Sequence, residues 1–198
     1  MPAPITHLAV TERLFDDLFN DKNRREFFIG SLFPDIRKIK GTERERTHIN
    51  DVSLEEICLE DSFMAGLKLH SLIDIAWNKM FSSWERSNSL KLFEDQLFYK
   101  ETHCLKEAVD YLGEVLPQEM TMGFNREDVF LWHSALRHYM SKKPDKETIR
   151  EFSFVLLFSE KEAERIDDDI SSMYKDEGFC KALRRMHEKL PLFIKNSF

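Results

Sequence analysis

Apolar residues recur three and four positions apart along almost the whole 198-residue chain, the spacing that lays one apolar stripe along an α-helix. Leu8, Leu14, Phe15, Leu18 and Phe19 mark a first helix, which Pro2 and Pro4 introduce and Asn20-Asp21 end. Phe27 and Phe28 belong to a second, short helix expected to stop near Gly30, because Pro34 disfavours the helical region for Phe33. From Asp35 to about Asp51 the periodicity lapses, and this charged stretch around Gly41 reads as a surface loop. The strongest pattern runs from Leu59 to Phe81. There Leu59, Phe63, Leu67, Ile73 and Trp77 step round a helix with Gly66 isolated inside it, and its length places it at the centre of the fold. Ser89 is expected to cap a helix through Tyr99, residues 102–115 form another closed before Pro117, Asn125 with Asp128 caps 126–141, and Asp145 precedes 146–158. The tail from 160 to 196 reads as two more helices around Gly178, with Pro191 bending or ending the last. No repeat, low-complexity run or linker intervenes, so residues 1–198 are expected to form one all-α domain, a multi-helix bundle.

Composition agrees with this picture: only 6 Gly and 6 Pro leave few turns, and 42% hydrophobic residues suffice for a core. The 17 Phe residues default to that core, with Phe27, Phe63, Phe93, Phe130 and Phe154 all at helical spacing, while Phe33 and Trp77 flank polar candidates and are expected to line a pocket. A net charge of −7 argues against a nucleic acid as a stable partner. The longest apolar run, Phe154 to Phe158, falls far short of the roughly 20 residues that span a bilayer. Neither a basic region followed by an apolar stretch at the N-terminus nor paired cysteines occur among Cys58, Cys104 and Cys180, so a cytoplasmic protein without a signal peptide is expected.

The chemistry lies mostly in the first 74 residues. His70 and Asp74, four apart on the best-supported helix, leave the same face and can converge on one ion. Alone, such a pair also reads as a buried histidine bonded to its helical neighbour. Its company is His7 on the first helix, Asp35 behind Pro34 and His48 behind Thr47; three imidazoles and two carboxylates are donors for zinc or a similar divalent ion. His103 and Glu107 form a further HxxxE pair, though His103 also reads as a surface histidine. Packing or capping is expected of His133 and His138, and solvation of His187. Arg37, Lys38, Lys40, Arg44 and Arg46 form either a solvated basic loop or, if Asp35 and His48 draw that loop across a site, a receptor for phosphate.

In order along the chain, Pro4-Ile5-Thr6-His7, the stretch from Phe28 to Pro34-Asp35, Thr47-His48, and Phe63-x2-Gly66-x3-His70-x3-Asp74 followed by Trp77-Asn78 resemble the zinc-dependent phospholipase C family. The resemblance covers about the first 80 residues. It implies an all-α fold of the phospholipase C and single-strand-specific nuclease type with a cluster of one to three zinc or other divalent ions. It assigns Asp35, His48, His70 and Asp74 to the best-formed centre and His7 to a neighbouring centre sharing Asp74, with Asp35 either a ligand or the catalytic base. The family's remaining centre takes a histidine soon after the HxxxD aspartate and then an HxxxE pair. Here His103 and Glu107 fit the HxxxE half, but no histidine lies between His70 and His103, so one ligand is lacking. The implied activity is hydrolysis of phosphodiesters by metal-activated water, on a small phosphoester or phospholipid-derived substrate. Two alternatives remain: a non-catalytic helical interaction protein that keeps a structural or vestigial metal site, and a nucleotide phosphohydrolase of the HD type, whose His-Asp dipeptide this chain lacks.

Overall fold

A computed structural model describes residues 3–82, 87–156 and 158–198, with Lys40 by its backbone alone; Pro2, Leu157 and the Lys40 side chain lie outside the described residues. Every regular element among them is helical. The chain runs through α1 (Pro4–Leu18), α2 (Arg24–Leu32), α3 (Arg37–Lys40), α4 (Leu54–Leu59), α5 (Ser62–Met80), α6 (Asn88–Phe98), α7 (Leu105–Tyr111), α8 (Pro117–Thr121), α9 (Arg126–Met140), α10 (Lys146–Val155), α11 (Glu160–Met173) and α12 (Glu177–Ser197). Short polar side chains begin most of them: Asn23, Asp61, Ser87, Asn125, Asp145, Ser159 and Asp176 each accept the backbone N–H three residues on, which satisfies a donor the helix cannot. No described helix is long and apolar enough to cross a membrane.

α5 is the axis of the core, burying Phe63, Leu67, Ile73 and Trp77 against α2, α1, α4 and α12. Its tightest partner is α2, and two glycines allow the approach. A Cβ on Gly30 would fall 2.1 Å from the Phe63 carbonyl oxygen, and one on Gly66 2.0 Å from that of Phe27, so the two helices meet backbone to backbone. Gly30 therefore serves packing in the interior of α2 and does not end it.

Helix α1 lacks a cap of its own, since Ala3 offers no side-chain acceptor. Asp95 on α6 takes that part: its carboxylate accepts the Ile5 and Thr6 amides at 3.0 and 2.7 Å and the Thr6 hydroxyl at 2.8 Å. The turn that precedes His7 is thus fastened to a helix some 90 residues further along.

Several local expectations are corrected. Phe33 keeps helical angles (φ −70°, ψ −40°), because Pro34 opens a 3₁₀ turn, Pro34–Ile36, that continues α2 into α3. The stretch from Asp35 to Asp51 is no plain loop; it winds through α3, ended by Gly41 at φ 61°, and a second 3₁₀ turn, Arg44–Arg46. Leu59 closes α4 and is 84% exposed, so the central helix begins only at Ser62. Ser87, not Ser89, caps α6; the helix foreseen over 102–115 shrinks to α7; Gly178 lies in the first turn of α12, which runs on through Pro191. Phe130 and Phe154 stand 64% and 47% exposed, whereas His187, expected in solvent, is buried and stacked on Phe98 with ring centroids 3.8 Å apart.

Candidate metal centre

Five of the seven candidate ligands meet at one place, the end of α2 beneath α5. His70 and Asp74 project from one face of α5, His7 comes from the second turn of α1, Asp35 from the turn after α2, and His48 from beyond the second 3₁₀ turn. All five are between 0 and 3% exposed. Their donor atoms form two overlapping sets, His7 with His70 and Asp74, and Asp35 with His48 and His70, each spanning no more than 4.8 Å.

Neighbouring backbone and hydroxyl groups fix how the imidazoles face. His70 Nδ1 lies 2.8 Å from the Ser31 carbonyl oxygen, which can only accept, so the Nδ1 proton is donated there and Nε2 keeps its lone pair. The Thr47 hydroxyl donates to the Pro34 carbonyl at 2.8 Å, leaving its oxygen to accept from His48 Nδ1 at 3.1 Å; His48 Nε2 likewise keeps a lone pair. These two lone pairs confront each other with Nε2 to Nε2 at 3.2 Å and no proton to share. His48 Nε2 is 3.5 Å from Asp74 Oδ2, and His7 Nε2 is 3.2 Å from Asp74 Oδ1 without the direction of a hydrogen bond. His7 itself stacks on His70, centroids 3.9 Å apart and planes within 7°. Donors bound at about 2.0–2.2 Å around a tetrahedral ion stand roughly 3.3–3.6 Å apart, close to the separations found here.

Charge follows the same logic. Burial drives the pKa of His48 down to about 4, against the pull of Asp35 and Asp74, and burial followed by the charge of His7 holds that of His70 well below the usual imidazole range. Burial acts to raise both carboxylates, but Lys38 and then His70 outweigh it at Asp35, and His7 and His70 at Asp74, so both stay below the usual range. Neutral imidazoles at His48 and His70 beside ionised carboxylates are protonation states that suit a divalent cation. Lys38 Nζ sits 3.0 Å from Asp35 Oδ1, and Arg44 pairs with Asp74 Oδ2. A cation fits this donor set: buried lone pairs face one another, and the His7 nitrogens and Asp74 Oδ1 make no hydrogen bond among the described residues.

The HxxxE pair does not join them. His103 is exposed with its backbone N–H on Glu12, and Glu107 is engaged by Arg24 Nε at 3.1 Å and by the Tyr111 hydroxyl. Arg24 opens α2, whereas Ser31, which orients His70, lies seven residues on near its end. Phe33 and Trp77 do not line a pocket either. Phe33 packs against Phe63 and Phe124, and Trp77 stacks on Phe81 while its Nε1 donates to Glu94. His133 is buried on Glu119 at 2.7 Å, a packing role, and His138 pairs with Glu151 at the surface. The basic stretch divides, Arg44 reaching Asp74 and Arg46 turning to the Gly123 carbonyl and the Phe124 ring.

Sequence reasoning missed Ser31 and Thr47, which orient the imidazoles, and the cavity of about 230 Å³ beside Asp35 that Arg37, Lys38, Lys91, Trp132 and Phe152 help to line. Lys91 carried no motif; only its helical register with Glu94 and Asp95 could have drawn notice. Comparison of the chain with models of protein families, with curated proteins and with solved structures finds no match.

Proposed function

We propose that this chain is a metal-dependent phosphoester hydrolase, with zinc as the metal that best suits the donors, and that it acts as its resemblance to the zinc-dependent phospholipase C family implies. The observation that carries the reading is the pair of Nε2 lone pairs of His48 and His70, 3.2 Å apart between two ionised carboxylates. His7, Asp35, His48, His70 and Asp74 would hold the metal, which when bound supplies positive charge against the phosphoryl oxygens and makes a water acidic enough to attack near neutral pH. The chain's own groups supply order. Ser31 and Thr47 hold the imidazole tautomers, Arg44 fixes Asp74 by one oxygen, and Lys38 keeps Asp35 ionised; that carboxylate is either a ligand or, as the resemblance implies, the base that takes a proton from water. Asp35 also lines the cavity, which sets the cluster beside a space that can take a substrate.

A second reading, a non-catalytic helical protein with a structural ion, draws support from the burial of all five donors. One experiment separates the two. Protein purified without chelator should retain a divalent metal by elemental analysis and hydrolyse bis(p-nitrophenyl) phosphate. Asp35→Asn should keep the fold and lose about 100-fold or more in kcat, the worth of a positioned base. Metal retained with no turnover across a panel of phosphomonoesters and diesters would leave the structural reading standing, and no metal retained would remove both.

A further inference from the structure

The cavity beside Asp35 holds more positive charge than its own anion balances. Arg37 and Lys38 come to it from α3 and Lys91 from α6, three cations against the one carboxylate of Asp35. Lys38 already lies 3.0 Å from that carboxylate. Lys91 Nζ donates to the neutral Asn88 Oδ1 at 3.0 Å, and the buried Nε of Arg37 finds no hydrogen-bond partner among the described residues. Burial and then the charge of Lys38 lower the pKa of Lys91, against the pull of Asp35, Asp74 and Glu94. All this occurs in a chain whose net charge is −7.

Much of the remaining lining is apolar. Trp132 is held by its Nε1–H on the Leu32 carbonyl at 3.1 Å, Phe152 stacks on Tyr139 with centroids 4.2 Å apart, and Leu156 fills the space beside them. A ligand in the cavity therefore meets aromatic surface together with the side chains of Lys91 and Arg37. A quaternary ammonium head would be repelled from the cations, whereas an oxyanion would gain charge-assisted hydrogen bonds that the protein alone does not make.

We propose that this cavity binds a small oxyanion carrying an aromatic or aliphatic body, with Lys91 and Arg37 as its anion-binding residues. Where the hydrolase reading also holds, on which this step rests, the substrate is a phosphoester with an anionic and not a choline-like head group beside the scissile bond.

The test uses the full chain stripped of metal, with phenyl phosphate as the probe and phenyltrimethylammonium, which has the same ring but a cation in place of the oxyanion, as the competitor, read by calorimetry and amide chemical shifts. Phenyl phosphate should bind and phenyltrimethylammonium should not displace it. Lys91→Gln should weaken binding by about tenfold, the value of one hydrogen bond to a charged group, and Lys91→Arg should restore it. Arg37→Gln, on a different helix, should weaken it similarly and covers the case in which the Lys91 variant fails to fold. Unchanged affinity in both Gln variants, or equal competition by phenyltrimethylammonium, would overturn the proposal. Turnover by the metal-loaded protein is scored separately. Binding without hydrolysis keeps the pocket and discards the hydrolase, and hydrolysis with a KM for anionic esters untouched by Lys91→Gln does the reverse.

Discussion

Two buried imidazoles in this protein, His70 and His187, sit in settings with opposite chemical meaning. His70 donates from Nδ1 to Ser31 and presents Nε2 to other donors, while His187 lies flat on Phe98 with neither nitrogen hydrogen-bonded among the described residues. Burial, and then the charge of Arg13, depress the pKa of His187 to about 3. Its folded pKa thus lies below the ordinary 6.5. Between those values the unfolded chain binds a proton that the folded one refuses, so the stability tied to this group is whole above pH 6.5 and drains away as the pH falls towards 3. The slope is about 1.4 kcal/mol per pH unit. In urea unfolding, the wild type should lose about 2 kcal/mol relative to His187→Phe between pH 7 and pH 5. Parallel pH profiles for the two proteins would show that His187 is not held neutral.

At the scale of elements, the crossing of α2 and α5 carries the site. Replacing Gly66 by Ala adds about 1 kcal/mol of helix propensity, yet the new Cβ meets a backbone carbonyl that cannot turn aside. Gly66→Ala should therefore cost about 2 kcal/mol or more net, and by parting Ser31 from His70 it should also weaken zinc binding. Gly178→Ala, whose Cβ would meet only the Asp176 carboxylate at 3.3 Å, is the control and should be neutral or stabilising by thermal melt. The helices themselves were legible in the chain wherever a local cap coincided with the apolar period, as at Asn125 and Asp145. The stretch after Asp35 was not, because its turns are held from outside: Thr47 by Pro34, and the Ile49 amide by the Ser71 hydroxyl at 3.0 Å. Periodicity also cannot tell an inner stripe from an outer one, which is why Phe130 and Phe154 read as core. The five ligand candidates were legible as residue types in order. The HxxxE pair misled, because spacing takes no account of Arg24, which reaches Glu107 from 83 residues away.

For the molecule as a whole, most of the core lies away from the cluster, with aromatic packing such as Phe15 on Phe27 and Phe28, Tyr139 on Phe152, and Phe93 on Tyr174. Removing metal should therefore leave the helical circular dichroism intact at 25 °C, unlike a domain that folds only around its ion. Zinc at 100 times its dissociation constant should add about 2.7 kcal/mol, or roughly 5–11 °C in Tm for a chain of this length. His70→Ala should abolish that rise whatever its own starting Tm. An equal rise in wild type and variant would place zinc elsewhere on the protein.

The borrowed cap on α1 sets an order of events during synthesis. All five candidate ligands precede residue 75, but the first turn of α1, just ahead of His7, is fastened by the carboxylate of Asp95. A ribosome adding 5–20 residues per second makes Asp95 about 1–4 s after Asp74. Through that interval the nascent chain holds every donor of the cluster while the helix carrying His7 is still uncapped. The growing polypeptide thus gains the fastening of the turn ahead of His7 only once α6 exists.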